Sequence, residues 1–184
     1  MSHETAPPSM LPGVLSREQL LARIADPAHP LITEMPSVDD QVQPNGVDLT
    51  LQSICRHHGP GSIGVSNTDR QLPELEEIPF DTDDWVTLAP GIYHIVYNEI
   101  VDIPVDLMAL GRPRSSLARS GVAIHTAVWD AGYRGRSTSL MSVLNQDGFR
   151  VQRNARVMQL VFFSLAAETA AGYSGTYQHE NAPR

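Results

Sequence analysis

Apolar and polar positions alternate in short runs along most of the chain, the period of half-buried strands rather than of helices. Such runs cover residues 47–51, 85–88, 91–97, 106–110, 122–126, 138–144 and 156–165. Turn-forming groups such as Pro44-Asn45-Gly46 and Ala89-Pro90-Gly91 separate them. Helical spacing is clear only near the start. There Ser16 and Glu18 precede Leu20, Leu21 and Ile24, which predicts a capped amphipathic helix ending before Pro27. Residues 115–120 allow at most two more turns, with Gly121 suited to their C-terminal end. Residues 56–80 read as loop, passing from Gly59-Pro60-Gly61 into an acidic stretch. Many short strands with little helix predict a mainly β protein, a barrel or a sandwich.

Length and composition narrow this. A chain of 184 residues fits one domain with a real core, and 41% hydrophobic content with 14 Pro and 13 Gly suits a turn-rich globular fold. Residues 1–12 are expected to be a flexible Pro-rich arm and 13–170 the domain. Residues 171–184 are expected to be a mobile tail able to close over a site. The single cysteine, Cys55, excludes an internal disulfide and a cysteine-based zinc site within one chain. The most apolar run, residues 157–167, is broken by Gln159 and Ser164 and is too short to span a bilayer. No signal-peptide pattern opens the chain, so the expectation is a cytoplasmic protein with no membrane partner.

A net charge of −8 argues against nonspecific nucleic-acid binding. The distribution says more than the total. Lysine is absent, and eight of the 13 Lys-plus-Arg positions are arginines lying between Arg112 and Arg156. Acidic residues gather elsewhere, as at Glu74, Glu76, Glu77, Asp81, Asp83 and Asp84. This is either ordinary surface charge or an anion pocket on an acidic body, where the planar fork of Arg suits phosphate.

The stretch 112–136 concentrates the candidate chemistry: an Arg-Ser-Ser turn, a short helix, a β-hairpin and an Asp-x-x-Tyr-Arg-Gly turn. Ser115 and Ser116 at a helix start either cap it or, with Arg112, Arg114 and Arg119 nearby, hold phosphate. Asp130 is either a turn former bonded to its own backbone or a general base that orients water. Tyr133 either plugs the turn or packs on a sugar and excludes a 2′-hydroxyl. Arg156 and Gln159 lie three apart, so a regular strand would point them to opposite faces and leave one structural. His125 either contacts a base or is structural, and the seven histidines suggest no metal site. Asp48 is an unusual charge in an apolar strand, able to bind a backbone turn or a water on a divalent cation.

The order of these motifs resembles the dUTPase and dCTP deaminase superfamily, most closely archaeal-type dUTPases whose sequences look like deaminases. The likeness runs from Val14-Leu15-Ser16-Arg17-Glu18-Gln19-Leu20 through Val42-Gln43-Pro44-Asn45-Gly46-Val47-Asp48-Leu49 and Arg112-Pro113-Arg114-Ser115-Ser116-Leu117-Ala118-Arg119. It continues through Ala127-Val128-Trp129-Asp130-Ala131-Gly132-Tyr133-Arg134-Gly135 and Ala155-Arg156-Val157-Met158-Gln159-Leu160. The resemblance implies a dUTPase-like β-barrel of distorted jelly-roll type with short helices, assembled as a homotrimer with shared active sites. It implies hydrolysis of dUTP to dUMP and pyrophosphate with Mg2+. Asp130 would direct the attacking water. Arg114, Ser115, Ser116, Arg119 and Gln159 would hold phosphate. His125, Thr126, Ala127 and Tyr133 would meet base and sugar, and Asp48 a metal-bound water. In the tail, Tyr173-Ser174-Gly175-Thr176-Tyr177-Gln178 resembles a deaminase ending, with Tyr177 and Gln178 over the substrate.

One absence separates the two activities. Deaminating cytosine needs a proton shuttle beside the amino group, supplied in the deaminases by a Glu. Counting about ten residues on from Asp130 reaches Leu140, or Ser142 if a local surplus is allowed. Neither is acidic, and no Glu or Asp occurs between Ala131 and Gln146. Hydrolysis is therefore favoured. A dCTP deaminase or bifunctional enzyme, and a non-catalytic nucleotide-binding trimer, are the rivals.

Overall fold

The computed structural model describes residues 13–182, so the expected arm at 1–12 lies outside the described residues. Among the described residues three α-helices occur, α1 (Arg17–Ile24), α2 (Val38–Gln41) and α3 (Ser115–Arg119), besides a 3-10 turn at Asn67–Asp69. The first half of the chain gives β1 (Ile32–Thr33), β2 (Val42–Gln43), β3 (Gly46–His58), β4 (Glu74–Glu77), β5 (Trp85–Leu88), β6 (Gly91–Tyr97) and β7 (Ile100–Asp102). The second half gives β8 (Leu107–Pro113), β9 (Val122–His125), β10 (Val128–Trp129), β11 (Arg134–Gly135), β12 (Thr138–Val143), β13 (Phe149–Gln152) and β14 (Arg156–Ser164). The α1 cap forms as expected, with Gln19 rather than Glu18 completing the box: Ser16 Oγ accepts from the Gln19 N–H, and Gln19 Oε1 from the Ser16 N–H.

The largest sheet runs β10-β8-β14-β3-β6-β12-β9, with β2 and β4 pairing on β3. Its outermost strands, β10 and β9, are consecutive in the chain and separated only by Thr126 and Ala127. Three virtual bonds reach at most about 11 Å, so the two edges of this sheet must come together. The sheet is therefore curled towards a barrel. This corrects one expectation: β9 and β10 do not form a hairpin, because β9 pairs with β12 and β10 with β8. The two-residue link is a bridge across the seam.

The curl encloses an apolar core that includes Leu49, Leu51, Ile54, Ile95, Met141 and Leu160, all at 0% exposure. Burial of such side chains is the main favourable term in folding. The segment read as loop at 56–80 also differs. Strand β3 continues to His58, and β4 returns antiparallel to it, pairing Cys55 with Glu77 and His58 with Glu74. Every residue of β4 is exposed, so no buried face imposed an apolar period that could reveal it. Strands β7 and β11, three and two residues long, are too short to show a period, and the expected strand β5 pairs with β13, which the alternation did not reveal.

Candidate functional site

Two groups of the singled-out residues come together, and they are separate. The first sits where β3, β14 and β8 lie side by side. Gln159 is opposite Asp48 on one flank and Arg112 on the other. A register shift between Arg156 and Met158 pairs Arg156 with Thr50. Residues paired across a ladder share a face, as do Asp48 and Thr50, two apart on one strand. The irregularity thus brings Arg156 and Gln159 onto the same face, and the expectation that three-residue spacing would divide them fails.

Asp48 is the centre of this group. Its carboxylate is buried and accepts from Arg114 Nε at 3.1 Å and Arg156 Nη1 at 3.4 Å. Burial pushes its pKa up, and the two guanidinium groups pull it back. Behind it, Gln41 Nε2 donates to the Asp48 carbonyl (2.8 Å) and to the Glu99 carboxyl (2.7 Å). Glu99 has no exposed surface and also accepts from the backbone N–H and the hydroxyl of Thr50. Its pKa is raised by burial.

Arg114 is the N-cap of α3 and makes no side-chain cap bond, so neither Ser115 nor Ser116 is spent on capping. Both serines and Arg119 are exposed. Both serines follow Arg114 directly in the chain.

The second group surrounds a cavity of about 200 Å3 lined by Ala127, Trp129, Asp130, Tyr133, Thr138 and Glu180, among others. The turn at Asp130 is closed by its backbone, with the Tyr133 N–H donating to the Asp130 carbonyl at 3.1 Å. The carboxylate of Asp130 makes no hydrogen bond among the described residues and is exposed to solvent. It is not the self-bonded turn former that the sequence allowed. It is a free acceptor at the cavity wall.

Tyr133 is 6% exposed, and its ring lies edge-on to Tyr173 with centroids 5.7 Å apart. Its hydroxyl is within hydrogen-bond distance of Ser137 Oγ (3.1 Å) and donates to Glu180 Oε1 (2.9 Å). Burial pushes the phenol pKa well up and raises that of Glu180, while the Tyr133 bond draws Glu180 back down.

The C-terminal stretch lies against this wall. Tyr173 N–H donates to the Ala131 carbonyl, Gln178 Nε2 to the Gly132 carbonyl, and His179 N–H to the Arg134 carbonyl. Gln178 also accepts the Arg134 N–H through Oε1, so its amide is committed to backbone rather than turned to the cavity. Tyr177 does line the cavity, beneath the Arg70 guanidinium at 5.4 Å. His125 and Thr126 do not line it, although they flank Ala127, which does. Trp129, Ser137, Thr138 and Glu180 belong to the wall and were not singled out. A lone Glu in a polar ending carries no sequence signal.

A magnesium site on protein ligands does not fit these residues. Among the described residues no three His, Cys, Asp or Glu side chains gather to hold a metal. Asp48 is buried and already opposed by two cations. No helix among the described residues is long and apolar enough to cross a membrane.

The family model described as dCTP deaminase-like matches residues 14–165. A Methanosarcina acetivorans protein named probable deoxyuridine 5′-triphosphate nucleotidohydrolase is 46% identical over 168 residues, covering 91% of this chain and 98% of that protein. A protein of the same name from Archaeoglobus fulgidus is 48% identical over 151 residues, covering 82% and 88%. Among solved structures, the 2′-deoxycytidine 5′-triphosphate deaminase of Agrobacterium tumefaciens superposes with a TM-score of 0.63 at 22% identity. That match covers 84% of this chain but 49% of the deaminase, so this chain spans about half of it, and at such identity the fold alone is shared. With a family model matched across the barrel and relatives of nearly the same length approaching half identity, the chain belongs to the dCTP deaminase-like family.

Proposed function

We propose that the protein is a dUTP diphosphatase that hydrolyses dUTP to dUMP and pyrophosphate. The observation that carries this reading is the free carboxylate of Asp130 on the wall of a cavity that Tyr133 also lines. A carboxylate with no internal partner can accept a hydrogen bond from water and aim its lone pair. That water would attack the α-phosphorus in line, with the base and sugar seated between Ala127 and the Tyr133 ring. The names of the archaeal relatives support the same substrate.

The phosphate grip would be Arg114, Ser115, Ser116, Arg119 and Gln159. Fixed cationic and hydroxyl donors stabilise charge as it develops on a triphosphate. None of these residues lines the Asp130 cavity within one chain. A homotrimer in which one copy's grip meets another copy's cavity accounts for this separation. Because the described residues offer no metal cage, Mg2+ would travel with the triphosphate, and no step here rests on it. A cytoplasmic setting suits a nucleotide substrate.

Deamination of dCTP is the second reading, since Glu180 places a carboxyl with a raised pKa on the cavity wall. Its acceptor oxygen is engaged by Tyr133, which makes hydrolysis the better account. The test is to assay pyrophosphate and ammonia separately from each deoxynucleoside triphosphate. Pyrophosphate from dUTP without ammonia from dCTP is expected. Asp130→Asn should bind dUTP while losing about 10²–10⁴ in turnover. Normal turnover in that variant would remove Asp130 from the mechanism.

A further inference from the structure

Tyr133 is held by a directed chain of hydrogen bonds that ends in the C-terminal stretch. Trp129 Nε1 can only donate, and it donates to Ser137 Oγ at 2.6 Å. The Tyr133 hydroxyl spends its single proton on Glu180 Oε1 at 2.9 Å. The contact between Ser137 and Tyr133, 3.1 Å, must therefore be donated by Ser137. The order is fixed: Trp129 to Ser137 to Tyr133 to Glu180.

The last acceptor is placed by backbone rather than by chance. The Arg136 N–H donates to the Glu180 carbonyl at 2.9 Å, and the His179 N–H to the Arg134 carbonyl at 2.7 Å. Gly135 backs the contact closely: a Cβ there would lie 2.6 Å from the Tyr133 hydroxyl and 3.2 Å from Glu180 Cγ. No side chain fits at that position while the Tyr133–Glu180 bond exists.

We infer that Glu180 is a positioning residue that fixes the angle of the Tyr133 ring at the cavity wall and thereby sets discrimination between deoxyribose and ribose nucleotides. This rests on the proposed dUTP reading. A ring anchored at its far end cannot tilt to admit a 2′-hydroxyl. Without the Glu180 acceptor, the ring keeps its bulk but loses the bond that holds its tip. The preference for deoxyribose then weakens, although the ring remains.

The experiment compares kcat and KM for dUTP and UTP in the wild type, Glu180→Ala, Glu180→Gln and Tyr133→Phe, with each variant's fold checked by thermal melting. Wild type should strongly prefer dUTP. Glu180→Ala and Tyr133→Phe should each lower the dUTP to UTP ratio of kcat/KM by about tenfold or more, because a ring free to tilt becomes a pocket that rejects an added hydroxyl poorly. For dUTP, kcat should stay within about threefold in Glu180→Ala, since reacting groups are untouched. Glu180→Gln, whose amide oxygen still accepts, should restore the ratio. A wild-type ratio in Glu180→Ala overturns the inference, as does a Gln variant that behaves like Ala. Collapse of dUTP turnover in Glu180→Ala overturns it too, by making Glu180 part of the chemistry. Absence of pyrophosphate from dUTP in the wild type overturns the functional reading itself, and is seen before any variant is compared.

Discussion

Asp48 shows what one residue's surroundings decide. By composition it was an odd charge in an apolar strand, open to a turn or a metal-bound water. In the fold it is the anion between Arg114 and Arg156. Removing it leaves two guanidinium groups facing each other with no counter-charge. Asp48→Asn should destabilise by about 1–3 kcal/mol, less than a fully buried pair would cost because both arginines are about one-third exposed. Chemical denaturation measures this, and an unchanged midpoint would show that solvent already screens the pair. Asp130 was legible as a motif residue but not as a free one. Only the backbone closure of its turn shows that the carboxylate has nothing else to do.

Among the elements, legibility followed hydrophobic contrast. Strands with a buried face, such as β6, β12 and β14, stand out in the alternation. Strand β4 is exposed throughout and leaves no such trace. Arg156 and Gln159 could not be placed on one face from spacing, because the deciding irregularity is a property of the ladder. A tail able to close over a site was expected from the sequence, but the contacts of 172–182 were not, since they use backbone groups, the Gln178 and Asn181 amides and the Glu180 carboxylate rather than an apolar stripe. Gly132 is where that docking can be tested. Its φ is +84°, and a Cβ there would lie 2.5 Å from Gly172 Cα, backbone against backbone. Gly132→Ala should cost about 1–2 kcal/mol in strain alone and push the C-terminal stretch away. Hydrogen exchange should then speed up at the Arg134 and Arg136 amides, which donate to Gln178 and Glu180. Unchanged protection there would mean that the stretch adjusts to the methyl and stays docked.

At the scale of the molecule, the buried Glu99 ties the stability of the barrel to pH. Its folded-state pKa is raised above the ordinary value of 4.5, so the folded protein holds this proton more tightly than the unfolded chain. Stability from this group is full below about 4.5 and is lost as pH rises through the folded value. Glu99→Gln should flatten that decline. At low pH the variant should be weaker than wild type by about 1–3 kcal/mol, because an amide cannot accept from every Glu99 partner at once. Melting curves across the acid range measure both effects, and an undiminished slope in the variant would assign the decline to another group.

The seam at Thr126 and Ala127 bears on the order in which the protein can be made. The central strand β3 pairs with β14, more than a hundred residues further along the chain. Contacts that distant form late, and topologies dominated by them fold slowly. The two-residue bridge joins β9 to β10, which pairs with β8, and β8 in turn needs β14 beside it. A chain still emerging from the ribosome therefore has Asp130 and Tyr133 before it has a wall to set them in. The cavity is complete only when the 172–182 stretch has folded back, so a copy truncated before it lacks the wall that Tyr173, Tyr177 and Glu180 supply.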